Sequence, residues 1–347
     1  MYCDRRIGGI EKWYLEKPKD ADMIVPREIL NCVCFIGLQT QDGSYHPKGT
    51  AFFLGQLREG TAGPPLVYVV TAKHLITKIK DLGCDRVCLR LNCSSGGFSW
   101  HDTPLQDWVS HPTDPSVDVA VLAYQNTPSP LSSGRTESDH MVYPLQSLVD
   151  QSKMLLGDIG IGDDVFMPGL FYYHTGEKKN IPIVRFGNIA AMPEERIKTD
   201  LGPAEVHLIE LRSLGGLSGS PVFVHFGARR RKEGGLEAMF WLLGLLHGHW
   251  DQPPLECDRV RRETSAPEES TVNFGIGVVA PANKILEVIN QPKLMKEREE
   301  AERRFERERT PVMDSGPRES GITKDEFEAA LKKVSRRIQP SRSDGEK

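Results

Sequence analysis

Between about residue 29 and residue 290 the sequence runs as short apolar stretches rich in β-branched residues, separated by polar turns. Examples are Cys32–Leu38, Ala51–Leu54, Leu66–Val70, Val87–Leu91, Val117–Tyr124, Ile181–Ala191, Val206–Leu211, Val222–Phe226, Phe240–Leu246 and Val272–Val279. Gly, Pro, Asn, Asp and Ser cluster in the gaps. Many short strands with few helical periods predict an all-β sandwich or barrel. No internal repeat of fixed period interrupts the pattern. Residues Asp251 to Ser270 are polar, charged and proline-containing, and read as a long surface loop between two strands.

The pattern changes at both ends. Residues 1–28 form a polar lead-in. Near Pro281 the composition shifts: Asn283 to Asn290 reads as a short closing helix, and Lys293 to Arg309 is a Lys/Glu/Arg-rich run of good helix formers with few apolar positions. Thr310 to Ser320 reads as a linker. Thr323 and Glu326 then form a capping box, with Ile322 and Phe327 as its staple, and Phe327, Leu331, Val334 and Ile338 follow at helical spacing. A stripe that short cannot fold alone. Residues 291–347 are therefore expected to form a charged helical extension outside the β unit, docked on it, on a second copy or on a partner protein.

Composition narrows the function classes. The chain has 347 residues, 39% of them hydrophobic and 27% charged, with a net charge of −4. That suits one large or two ordinary globular domains, and gives no global reason to expect nucleic-acid binding. No stretch approaches the roughly 18 apolar residues of a membrane helix, and the charged lead-in resembles no signal peptide. Seven scattered cysteines, an odd number, then read as free thiols in a reducing compartment. The expected location is cytoplasmic.

Three stretches carry candidate chemistry. Gly215-Gly216-Leu217-Ser218-Gly219-Ser220-Pro221 sets a serine between glycines, before an apolar run. Glycines let the backbone turn sharply and bring N–H groups together where an oxyanion forms; alone, the same letters also describe a turn feeding a strand. Val67 to His74 is a β-run ending on a histidine, which reads either as a general base or as an ordinary half-buried residue. Asp118 stands at the start of the apolar run Val117 to Leu122, where a charge needs a hydrogen-bonding partner. The order His74, Asp118, Ser218 suits an acyl-transfer triad.

These segments together resemble the trypsin/chymotrypsin superfamily of serine peptidases. Thr71-Ala72-Lys73-His74 resembles its Thr-Ala-x-His motif, Asp118-Val119-Ala120-Val121-Leu122 its Asp-[Ile/Val]-Ala-[Leu/Val]-Leu motif, and Gly216 to Pro221 its Gly-Asp-Ser-Gly-Gly-Pro motif. The separations, 44 residues from His74 to Asp118 and 100 from Asp118 to Ser218, also fit. Gly49 to Leu54 is similar to the strand before the histidine, and Gly244 to Gly248 to the strand flanking the substrate. The resemblance implies a chymotrypsin-like double antiparallel β-barrel, with barrel one at about 29–150, barrel two at about 155–280 and the site in the cleft between them. It implies a serine endopeptidase acting on protein or peptide substrates, without cofactor or metal: Ser218 as nucleophile, His74 as base, Asp118 as its orienting partner, and the N–H groups of Gly216 and Ser218 as the oxyanion hole.

Leu217 and Ser220 depart from the family's Asp and Gly, and the paired cysteines of secreted members are missing near His74 and Ser218. The chain thus looks more like intracellular, bacterial-type members. Arg212, six positions before Ser218, falls where the family sets its specificity pocket, and His247 and His249 alternate on the flanking strand. Together they imply a pocket for acidic or polar side chains; the other readings turn Arg212 outward and make the two histidines a metal pair. Cys84, Cys88 and Cys93 match no tight zinc spacing, and Arg229 to Lys232 reads as a hairpin tip, a docking loop for an acidic partner or a site for self-cleavage. The alternative function is a catalytically silent or partner-activated peptidase fold serving as a binding or signalling module.

Overall fold

A computed structural model describes residues 25–56, 65–124, 138–150, 152, 154, 159–171, 173–211, 216–225, 240–252 and 272–309. Strands dominate. The first set comprises β1 (Val33–Gln39), β2 (Tyr45–Gln56), β3 (Leu66–Thr71), β4 (Arg86–Asn92), β5 (Phe98–Pro104), β6 (Val109–Ser110), β7 (Ala120–Ala123) and β8 (Tyr143–Pro144). The second comprises β9 (Asp164–Gly169), β10 (Ile183–Ala191), β11 (Ile197–Thr199), β12 (Gly202–Ala204), β13 (His207–Glu210), β14 (Pro221–His225), β15 (Phe240–Gln252) and β16 (Val272–Pro281). The helices are α1 (Arg27–Leu30), α2 (Lys73–Asp81), α3 (Ala282–Ile289) and α4 (Pro292–Arg309).

The second set closes into a six-stranded barrel in the order β10-β13-β16-β15-β14-β9, while β11 and β12 form a separate hairpin. The first set is an eight-stranded sheet in the order β5-β4-β1-β2-β3-β7-β6, with β8 pairing β2. The architecture is the expected mostly-β pair of units, consistent with a chymotrypsin-like fold. One detail departs from the expectation of two closed barrels: among the described residues β5 and β6, the ends of the first sheet, do not pair. The two-residue β6 offers too short an edge to complete a ladder.

The core follows the apolar pattern. Strands β1 to β4 bury Phe35, Phe52, Phe53, Val69, Val70 and Leu89 completely. Phe166 and Phe223 of the closed barrel stack at 5.1 Å and join the core of the first sheet. The Tyr143 hydroxyl donates to the Phe240 carbonyl at 2.7 Å, so the two units share a packed seam.

The C-terminal boundary lies further on than composition indicated. The compact unit runs to Arg304. Leu294, in the first turn of α4, is fully buried in the first core, and Arg298 donates to the Tyr68 hydroxyl at 3.0 Å and the Ile289 carbonyl at 3.2 Å. Single apolar residues in a charged helix give little periodic signal, although each buries as well as any other. The capping box at 323–326 and the linker at 310–320 lie outside the described residues.

His207 on β13 is fully buried, and neither ring nitrogen has a hydrogen-bond partner among the described residues. Burial pushes its pKa down from the ordinary 6.5 to about 4. The unfolded chain takes up that proton below about pH 6.5, whereas the folded chain resists it, so stability falls as pH drops through this window. From this group alone we expect denaturant unfolding to show a loss of about 2 kcal/mol between pH 7 and pH 5. A chain carrying His207→Leu should lose that much less; an unchanged pH slope would contradict the assignment.

Candidate active site

Local structure brings His74 and Asp118 together. Antiparallel β3 and β7 pair with Thr71 opposite Ala120. The residues just after Thr71 and just before Ala120 therefore emerge at the same end of the sheet. His74 does not end the strand, as the β-run suggested; it sits in the first turn of α2. Ala72 supplies no side-chain cap to that helix, and the Asp118 carboxylate takes over: Oδ1 accepts from the His74 backbone N–H at 2.8 Å. A carboxylate at a helix N-terminus satisfies an orphan donor and complements the helix dipole.

The other carboxylate oxygen receives two imidazoles. Oδ2 of Asp118 lies 2.7 Å from Nδ1 of His74 and 2.5 Å from Nδ1 of His247. An ionised carboxylate only accepts, so both facing ring nitrogens carry protons. Asp118 is 2% exposed. Burial works to raise its carboxyl pKa, but the hydrogen bonds from His247 and His74 outweigh that and hold the group well below the usual carboxylate range.

His247 reaches Asp118 through a bulge. Strand β15 pairs with β16 as Leu246 opposite Val279 and Gly248 opposite Val278, so His247 is the extra residue. Bulges re-aim a side chain. The simple alternation that put His247 and His249 on one pocket wall is broken here, and His247 is committed to Asp118 instead. His249 lies two residues on, opposite Gly277. Arg212 lies outside the described residues, as does Arg229 to Lys232. Cys84, Cys88 and Cys93 are free thiols.

Backbone bonds seat the turn around Ser218. The Gly219 N–H donates to the Leu246 carbonyl and the Leu246 N–H to the Ser220 carbonyl, both at 2.8 Å. The turn is thus zipped to the residue before His247. From the first sheet, the Thr50 N–H donates to the Ser218 carbonyl at 3.0 Å. Its hydroxyl donates to the Gly216 carbonyl at 3.1 Å and accepts from the Leu170 N–H at 2.9 Å. Gly219 has φ 83°, and a Cβ there would stand 2.2 Å from the Thr50 carbonyl and 3.2 Å from the Ala72 nitrogen. Only glycine allows that approach, which brings the Ser218 turn against the residue two before His74. Gly216 also has a positive φ, 95°.

Two partners were not singled out by their chemistry in the sequence. Thr50 lay inside a recognised strand motif, yet its role depends on register. Arg196, beside the β11–β12 hairpin, donates to Asp114 at 2.7 Å and to the Ser116 hydroxyl at 2.8 Å, bracing the loop that leads into Asp118. Hydrogen bonds from Ser116, aided by Arg196, lower the Asp114 pKa to about 2.

Comparison with known proteins finds slight likenesses to many solved structures. One is the apo MamO protease domain from Magnetospirillum magneticum: 14% identity, 76% of this chain and 99% of that one covered, TM-score 0.44. Another is Deg5: 15% identity, 64% of this chain and 81% of that one covered, TM-score 0.37. No family model and no curated protein matches the sequence.

Thr50→Val keeps the shape of the side chain but strips the Gly216 carbonyl and the Leu170 N–H of their partner. We expect a loss of about 1–3 kcal/mol in denaturant unfolding. Wild-type stability would show that the hydroxyl does not hold the turn.

Proposed function

We propose that the chain is a serine endopeptidase that cleaves peptide bonds through an acyl-enzyme. The observation that carries this reading is the pairing of Asp118 with the His74 imidazole at 2.7 Å, beside a glycine-flanked serine turn seated on Thr50 and Ala72. Asp118 fixes the His74 tautomer with Nδ1 protonated, leaving Nε2 as the base. Nε2 takes the proton of Ser218 as its Oγ attacks the carbonyl, and Asp118 stabilises the imidazolium that forms. The N–H groups of Gly216 and Ser218 are assigned to the oxyanion. His74 then protonates the leaving amine, and water repeats the cycle on the acyl group.

The pocket reading keeps Arg212 and His249 as candidate residues for an acidic or polar side chain before the scissile bond, without His247.

A fluorophosphonate probe, which modifies an activated serine, should label the full-length chain, and Ser218→Ala should abolish both labelling and peptide hydrolysis. Asp118→Asn should lower kcat by a factor on the order of 10⁴, the size this change has in trypsin-type triads. Folding is checked by circular dichroism. A folded wild-type chain that neither labels nor cleaves a diverse peptide library would favour the silent binding module.

A further inference from the structure

The second imidazole on Asp118 has no part in the reaction just described. One potential ligand atom from each of His74, Asp118 and His247 lies within 4.8 Å of the others, and Nδ1 of His74 and Nδ1 of His247 stand 2.7 and 2.5 Å from Oδ2 of Asp118. They come from three separate elements: the start of α2, the loop before β7 and the bulge of β15. We propose that these residues form a three-ligand site for a divalent transition cation, Zn²⁺ foremost, whose occupation shuts off the base.

The donor set selects the cation class. Two imidazole nitrogens and one carboxylate suit Zn²⁺, Cu²⁺ or Ni²⁺, whereas Mg²⁺ and Ca²⁺ prefer oxygen-only sets. Three protein ligands leave a fourth tetrahedral position for water. Ligand atoms about 2.0–2.1 Å from Zn²⁺ stand roughly 3.4 Å apart in a tetrahedron, so separations of 2.7 and 2.5 Å to the carboxylate oxygen need open by less than about 1 Å. The bond from the His74 backbone N–H to Oδ1 at 2.8 Å already orients the carboxylate, the outer support that metal-binding carboxylates usually have. The His74 and His247 side chains remain 17% and 14% exposed, which gives the cation an entry side that Asp118, at 2%, lacks.

The consequence for chemistry follows from proton placement. Coordination through Nδ1 requires that nitrogen to be bare. Each neutral ring meets this by moving its proton to Nε2, so no net proton is released. His74 then carries a proton on the nitrogen that the proposed mechanism uses as base, and cannot accept one from Ser218. Binding stands on the geometry alone; inhibition rests on the peptidase reading.

The two are separated by testing binding in the full-length Ser218→Ala chain. Zn²⁺ is titrated by competition with a chromophoric chelator, against the same chain with His247→Gln added. Glutamine can still donate to Asp118 but is a poor ligand, and thermal melts confirm folding. The proposal expects one Zn²⁺ site that is weakened at least roughly tenfold by His247→Gln and unchanged by His46→Ala at an exposed histidine. Equal Zn²⁺ affinity with and without His247→Gln overturns the site. In the wild-type chain, Zn²⁺ should inhibit hydrolysis over the concentration range in which it binds. Full activity at saturating Zn²⁺ overturns the switch, whereas a chain that binds Zn²⁺ but never hydrolyses peptides counts against the peptidase reading and leaves the site supported.

Discussion

The Asp118 carboxylate is the constraint on which this site depends. One buried side chain caps α2, fixes the ring of His74 and anchors His247 from the other unit. A buried charge is costly unless its hydrogen bonds are filled, and here three N–H groups fill them. The same bonds that stabilise the ion also set the direction of both imidazoles. Removing the carboxylate would therefore disturb the helix start, the ring tautomers and the link between the two units at once.

The serine turn depends on a second constraint, the close backbone approach at Gly219. Thr50 on β2 and Leu246 on β15 hold the turn from opposite sides. Each unit thus contributes backbone bonds to the turn and a histidine to the carboxylate. The seam between the units is held by these bonds as well as by apolar packing, with Phe166 and Phe223 of the closed barrel stacked in the core of the first sheet.

Much of this was legible in the sequence. Apolar runs gave the strands, because alternation and short length are local properties. The motifs around His74, Asp118 and Ser218 gave the candidate residues in order. The short helix after Thr71 escaped notice because a β-branched run leads straight into it. The role of His247 was hidden for a different reason. Alternation along β15 predicts a shared face with His249, and only the bulge between Leu246 and Gly248 overrides it. Bulges arise from pairing with distant strands and leave little local signature. Leu294 was obscured likewise, since one buried leucine in a helix of Lys, Glu and Arg does not alter its average character.

The central claim is that one carboxylate holds both imidazoles. Proton NMR of the full-length chain with ¹⁵N-labelled histidine tests it most directly. Two low-field, hydrogen-bonded Nδ1–H signals are expected, assigned to His74 and His247 by their loss in His74→Ala and His247→Ala, and both should shift strongly upfield in Asp118→Asn. A His247 ring signal that does not respond to Asp118→Asn would contradict the account.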